Sequence, residues 1–127
     1  MEKEKNCFAT SFKSLVNATR YSWQGLVSAW RGERAFRQET ICFLFMAPVG
    51  WWIGKTFAEK ALLIGSGLIV LLTELLNSAI EAVVDRFGEA RHELAGKAKD
   101  MGSAAVFISI CLTVLIWVLI VYERFFP

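Results

Sequence analysis

Charge is scarce in this sequence. Of 127 residues only 20% are Asp, Glu, Lys or Arg, while 55% are apolar. A soluble domain of this length has a large surface for its volume and covers it with charged groups. A soluble enzyme is therefore disfavoured, and so much apolar content excludes a disordered chain. Histidine occurs once, at His92, and the three cysteines, Cys7, Cys42 and Cys111, are far apart. That scatter excludes a disulfide framework and a Cys/His zinc site. No run of five Lys or Arg exists and the net charge is only +2, so a nucleic-acid partner is not expected. Repeats, low-complexity tracts and Pro/Ser-rich linkers are missing too, which leaves one domain over 1–127.

What is present is uncharged length. Met101–Tyr122 is 22 residues without a charge, and Ala61–Ile80 is 20 residues with one, Glu74. Thr40–Gly54 is 15 uncharged residues, extended by Ala35 and Phe36 and closed by the interface-seeking pair Trp51-Trp52. A helical 22-mer is about 33 Å long, enough to cross a bilayer core. Three transmembrane helices are expected, over about 33–54, 60–86 and 96–123, the first kinked at Pro48. Before them, Phe8, Phe12, Leu15, Val16, Trp23, Leu26, Val27 and Trp30 recur at helical spacing. They predict an amphipathic helix over about 6–31, lying on the membrane or on protein. The fold class expected is thus an all-α membrane protein: a surface helix plus three spans.

Lys and Arg set the orientation. Seven lie in residues 1–39 and four in the 81–100 connection, against two near 55–60 and Arg124 near the end. The N-terminus and the 81–100 connection are expected in the cytoplasm and the C-terminus outside. No apolar stretch follows Lys3 and Lys5, so a secretory leader is not expected. Gly50-Trp51-Trp52-Ile53-Gly54-Lys55-Thr56 imitates a phosphate loop, but only three residues separate its glycines where the loop needs four. It also ends a span on the wrong side for ATP. Close helix packing at Gly50 and Gly54 is the better reading.

Glu74 is the informative residue. A carboxylate inside a span costs on the order of 3 kcal/mol on insertion scales and is usually functional. Asn77, Ser78 and Glu81 follow at i+3, i+4 and i+7, so a polar face starts in the membrane and runs to the cytoplasmic side, with Asp85 one turn on. Glu33, Glu39, Lys97, Lys99 and Asp100 belong to the same side. Carboxylates with Lys and Arg at a membrane surface suit a hard cation and phosphate chemistry. Three spans of one chain are not expected to enclose Glu74, which points to an oligomer. Gly65, Ser66, Gly67 and Gly102–Ala105 offer close helix contacts. The residues alone leave three classes open: a membrane-surface enzyme, a small ion or proton conductor, and a structural membrane protein. A conductor needs polar groups through the whole depth, yet the last span has only Ser109 and Thr113 mid-membrane.

The stretch Glu74-Leu75-Leu76-Asn77-Ser78-Ala79-Ile80-Glu81-Ala82-Val83-Val84-Asp85-Arg86 resembles the signature of the prokaryotic integral-membrane diacylglycerol kinases. Tyr21–Leu26, Ala35–Glu39, His92-Glu93-Leu94 and Lys97–Ala105 match in order, so the resemblance covers about residues 12–122. It implies a homotrimer in the bacterial inner membrane that transfers phosphate from ATP to diacylglycerol with Mg²⁺. Glu74 would be the general base, and Glu33 and Glu81 the metal ligands. Tyr21, Glu33, Asn77, Glu81, Arg91, His92, Lys99 and Asp100 would surround ATP. Trp23, Val27, Trp30, Ala35, Phe36, Arg37, Gln38, Glu39, Glu74, Ser103 and Trp117 would meet the lipid. The chain departs from the pattern at Ser14, where some relatives have Arg, and at Arg20, where relatives have Gly. Undecaprenol kinases share Glu-Leu-Leu-Asn but generally lack the Phe-Arg-Gln-Glu block at 36–39. The resemblance therefore implies diacylglycerol as acceptor, with undecaprenol the alternative.

Overall fold

The computed structural model describes residues 2–86 and 93–126, with side chains from residue 14 onward. Four helices account for nearly all of them: α1 Glu2–Gly32, α2 Arg34–Ile53, α3 Phe57–Arg86 and α4 Glu93–Phe125. There is no strand among the described residues. The chain divides into two compact units, one ending at Glu33 and the other beginning at Arg34.

The first unit is α1 continued by one residue, the Glu33 N–H donating to the Ala29 carbonyl at 2.8 Å. Its hydroxyls fold back on its own backbone: Thr19 donates to Leu15 O and Ser22 to Ala18 O, each at 3.0 Å. Trp23, Val27 and Trp30, at i, i+4 and i+7, share one helical face, as the amphipathic reading expects.

The second unit is built around α3, which packs on both α2 and α4. Its core is inverted. The buried apolar residues of this unit are Phe36, Ile53, Leu63 and Val70, whereas Ser66, Glu74, Asn77, Ser78, Ser109 and Thr113 are all buried and polar. Large apolar side chains such as Leu72, Phe107, Leu115 and Leu119 point outward. That is the arrangement of helices whose solvent is lipid, where packing and hydrogen bonds, not apolar burial, hold helices together.

The α3–α4 seam is a ladder of such bonds. Thr113 Oγ1 donates to the Ser66 carbonyl at 3.1 Å, and Thr73 and Ser109 share a hydroxyl–hydroxyl bond of 2.9 Å. Trp117 Nε1 donates to the Leu63 carbonyl at 3.2 Å. The α2–α3 seam depends on close approach. A Cβ at Gly50 would meet Leu63 Cβ at 3.1 Å and the Trp117 ring at 3.3 Å, and one at Gly67 would fall 2.7 Å from the Phe43 ring. Gly50 thus packs helix against helix, as its spacing predicts.

Gly54 does something else. Its N–H bonds Gly50 O at 3.0 Å as α2 ends, and a Cβ there would meet the Lys60 backbone nitrogen at 3.0 Å. The turn then caps α3. Glu59 N–H donates to Thr56 Oγ1 at 3.1 Å, and Glu59 Oε2 accepts the Lys55 N–H at 2.8 Å, a reciprocal N-terminal cap. The false phosphate loop is a helix end, a turn and a cap. Lys60 lies 4.4 Å over the Trp51 ring, a cation–π pair suited to a membrane edge.

Two helices, α3 and α4, are long and apolar enough to cross a membrane. α2 has 20 residues but carries Arg34, Arg37 and Glu39 in its first turns, and it is not one of the two. It runs through Pro48 without a break, the proline leaving Leu44 O without its usual N–H.

Candidate active site

The polar face of α3 is where buried polarity concentrates. Glu74 is 6% exposed, Asn77 8% and Ser78 9%; Glu81 is half-buried and Asp85 exposed. Burial therefore declines along the face as it leaves the apolar run, so the innermost group is a carboxylate and the outermost groups meet water.

Asn77 Nδ2 donates to Glu81 Oε1 at 3.2 Å, which aims the Glu81 carboxylate along the face. The other end of that amide, Asn77 Oδ1, is buried with no hydrogen-bond partner, and so is Ser78 Oγ. The contrast within the unit is informative. Ser66, Thr73, Ser109 and Thr113 all bond a backbone carbonyl three or four residues back, at 2.7–3.1 Å. Ser78 does not. Buried polar atoms without partners are uncommon and cost about 1–3 kcal/mol each, and here two of them share one helix.

Gly102 of α4 lies directly behind Asn77: a Cβ there would collide with Oδ1. Lys99, on the turns of α4 before its charge-free run, donates to Asp85 Oδ1 at 2.6 Å. That hydrogen bond holds the Lys99 ammonium above its ordinary range. It also ties the C-terminal end of α3 to α4. From α2, Glu39 comes within electrostatic range of Glu74, and its Oε2 is buried without a partner.

Glu74 is thus enclosed by its own chain, with α2 contributing Glu39 beside it. Its side chain is therefore covered within one chain and does not face outward.

The structure gathers Glu74, Asn77, Glu81 and Glu39, with Lys99 near by. Asp100 and Ser103 are exposed on α4, flanking Met101 and the buried Gly102. Of the Ala35–Glu39 block, Phe36 is buried, Arg37 and Glu39 half-buried, and Ala35 and Gln38 exposed. Trp117 is elsewhere: it packs on Gly50 and Leu63, 14 residues and about 21 Å along α4 from Ser103. Tyr21, Trp23, Val27, Trp30 and Glu33 belong to the first unit, where Arg20 lies 5.6 Å over the Tyr21 ring. Arg91 and His92 lie outside the described residues.

Sequence reasoning missed two features. The pairing of Glu39 with Glu74 needs the α2–α3 register, which no local pattern carries. The lack of a partner at Ser78 is visible only against the other hydroxyls.

Chemically, a buried carboxylate beside unpartnered hydrogen-bonding groups can take a proton from a hydroxyl placed there. Oxygen donors predominate on the face. Among the described residues no three His, Cys, Asp or Glu side chains converge as a ready-made metal cage. Half-buried Glu81 does suit a hard cation that takes its remaining ligands from phosphate and water.

A sequence model of the prokaryotic diacylglycerol kinase family matches residues 20–121. The diacylglycerol kinase of Escherichia coli K12 is 47% identical over 116 residues, covering 91% of this chain and 95% of that one. Those of Haemophilus influenzae (49% over 108 residues, 85% of this chain and 92% of the relative) and Pseudomonas aeruginosa (45% over 108 residues, 85% and 88%) are similar throughout.

Proposed function

The chain belongs to the prokaryotic diacylglycerol kinase family and is an enzyme, a diacylglycerol kinase; from that premise we propose that it transfers the γ-phosphate of ATP directly to diacylglycerol, forming phosphatidic acid at the cytoplasmic face of the bacterial inner membrane. The observation that carries the reading is the graded face of α3, from buried Glu74 through Asn77 to half-buried Glu81. The acceptor lies in the bilayer and ATP in water, so a site joining them needs both depths.

Glu74 acts as general base, accepting the proton of the acceptor hydroxyl as its oxygen attacks the γ-phosphorus and the bond from that phosphorus to the β–γ bridging oxygen breaks, releasing ADP. The residues' part is mainly positioning and charge neutralisation, since phosphoryl transfer asks for little covalent chemistry from the protein. Glu33 and Glu81 would hold Mg²⁺, which would neutralise phosphate charge when bound. Lys99 adds positive charge beside them, its ammonium oriented by Asp85. Asn77, with Tyr21, Arg91, His92 and Asp100, lines the nucleotide. Trp23, Val27, Trp30, the Ala35–Glu39 block, Ser103 and Trp117 lie along the lipid.

α2, α3 and α4 are the three spans, α1 lies on the cytoplasmic surface, and three copies assemble as a homotrimer. The N-terminus is cytoplasmic and the C-terminus periplasmic.

Transfer of labelled phosphate from ATP to lipids in mixed micelles tests this, with and without Mg²⁺. Diacylglycerol is the expected acceptor and undecaprenol the comparator. Phosphorylation of undecaprenol alone overturns the choice of acceptor, and phosphorylation of neither overturns the reading.

A further inference from the structure

Two carboxylates of α3 act on one lysine of α4. The Lys99 ammonium donates to Asp85 Oδ1 at 2.6 Å, and Glu81 lies within electrostatic range of the same ammonium. Asp85 follows Glu81 at i+4, so the two carboxylates are neighbours one turn apart on α3.

The two are held differently. Glu81 is half-buried and accepts a hydrogen bond from Asn77 Nδ2 at 3.2 Å, which fixes its direction. Asp85 is open: its side chain is 66% exposed and that of Lys99 39%. Ion pairs this exposed are held weakly, because water and salt screen them and two long side chains lose freedom in forming them. Lys99 is thus tied where the tie is easily exchanged, beside a carboxylate that stays in place.

In the kinase reading, Glu81 is where nucleotide phosphate gathers. A lysine bonded to Asp85 has its charge matched before any phosphate arrives. A polyphosphate carries more negative charge than one carboxylate, and its oxygens accept charge-assisted hydrogen bonds at least as well. An ammonium on a flexible four-carbon stem can change partners without either helix moving.

We propose that Asp85 is a stand-in for nucleotide phosphate: it holds Lys99 in the empty enzyme, yields it when nucleotide binds, and takes it back as ADP leaves. The proposal rests on the kinase reading and on the place of Lys99 in it. What it adds is Asp85, to which that reading assigns no contact with ATP or lipid. Asp85 is a positioning residue, acting through Lys99. Every nucleotide that binds displaces a carboxylate, so affinity is lower than Lys99 alone would give, and ADP departs faster.

An aspartate that only steadied Lys99, and stayed bonded to it throughout, would act with the opposite sign. Losing it would weaken nucleotide binding. One measurement therefore separates the two roles.

That measurement is equilibrium binding of Mg·ADP to the full chain in mixed micelles, with the release rate followed by rapid mixing. Asp85→Asn keeps the shape and removes the charge. It is expected to tighten Mg·ADP binding at least fivefold and to slow its release, with KM for diacylglycerol within about twofold of wild type. Damage to the fold does not produce tighter binding, so a structural role cannot imitate this result. Asp85→Glu restores a carboxylate and is expected to return Mg·ADP affinity to within about twofold of wild type. Equal or weaker binding by Asp85→Asn overturns the proposal.

A second pair of variants tests the route. Lys99→Gln is expected to weaken Mg·ADP binding at least tenfold, and adding Asp85→Asn to it is expected to change nothing further, because Asp85 acts only through that lysine. Equal tightening by Asp85→Asn with and without Lys99 overturns the exchange, since repulsion of phosphate by Asp85 itself would then be the cause. Wild-type Mg·ADP affinity in Lys99→Gln overturns the place of Lys99 in the site, and that of Asp85 with it. A wild-type chain that phosphorylates no lipid, yet shows tighter Mg·ADP binding on Asp85→Asn only when Lys99 is present, overturns the kinase reading and leaves the exchange standing.

Discussion

At the scale of single residues, Glu74 and Glu81 sit two turns apart on one face of α3 but in different surroundings, buried against half-buried. Their losses should differ accordingly. Glu74→Gln removes the proton acceptor while keeping the shape, and is expected to lower kcat by about 10²–10⁴-fold with KM for Mg·ATP little changed. Glu81→Gln removes a proposed ligand of the cation, and is expected to raise KM for Mg·ATP by about tenfold, more than it lowers kcat at saturation. Steady-state kinetics on both variants check this, and equal nucleotide affinity in wild type and Glu81→Gln would count against the metal role. Gly102 makes a sharper prediction, because it is defined by what it excludes. Gly102→Ala drives a methyl into Asn77 Oδ1, so the amide must turn and release Glu81. KM for Mg·ATP is expected to rise several-fold, and Asn77→Ala is expected to lose little further when combined with it, since both changes act through one group. The Glu74–Asn77–Ser78–Glu81 face was legible in the sequence because helical periodicity alone brings those side chains together. Glu39 beside Glu74 was not, because only the packing register of two helices makes it a neighbour.

Elements were legible where the apolar runs were long. Met101–Tyr122 and Ala61–Ile80 fall inside α4 and α3, and the amphipathic pattern before residue 31 falls inside α1. Boundaries were less so. α3 begins at Phe57, a turn before the expected residue 60, because charge scarcity marks membrane depth and not helix length. Lys60 remains in the helix with its ammonium over Trp51, and Thr56 with Glu59 starts the helix by local hydrogen bonding. What joins the elements yields the next prediction. The α3–α4 seam gains specificity from hydroxyls, each worth about 0.5–2 kcal/mol between membrane helices. Thr113→Val deletes the bond to Ser66 O without changing shape, and is expected to destabilise the protein by about 1 kcal/mol. Gly50→Val forces a branched side chain against Leu63 and Trp117, an overpacking expected to cost about 1–3 kcal/mol or more. Unfolding of the detergent-solubilised protein under denaturant should rank wild type above Thr113→Val and Thr113→Val above Gly50→Val. A Gly50→Val chain as stable as wild type would remove close packing as the reason for glycine there.

The molecule as a whole leaves much of its helical surface uncovered. Within one chain only 22% of the apolar window of α3 and 17% of that of α4 is buried, so most of both faces lipid or another copy. Enclosure of Glu74 does not argue for an oligomer, because one chain achieves it. Small residues argue for one more directly. Ser103, Ala104 and Ala105 are exposed in a row on α4, and a Cβ at Gly65 would meet nothing within 4 Å, so neighbouring backbones can approach both places closely. In the proposed homotrimer, the proposed roles of Glu33 and Glu74 can fall to different copies. Mixing tests this. Glu33→Gln and Glu74→Gln chains, each inactive alone, are unfolded, combined in equal amounts and reassembled in micelles. If Glu33 of one copy completes the site at Glu74 of the next, about a quarter of the sites in random assemblies hold both glutamates, and activity is expected to return toward that fraction. Mass measurement in detergent should show the active species to be a trimer. Active monomers would overturn the oligomer. Intact trimers without rescue would keep the assembly but put Glu33 and Glu74 of each site on the same chain, and α1 would then serve its own helices and no others.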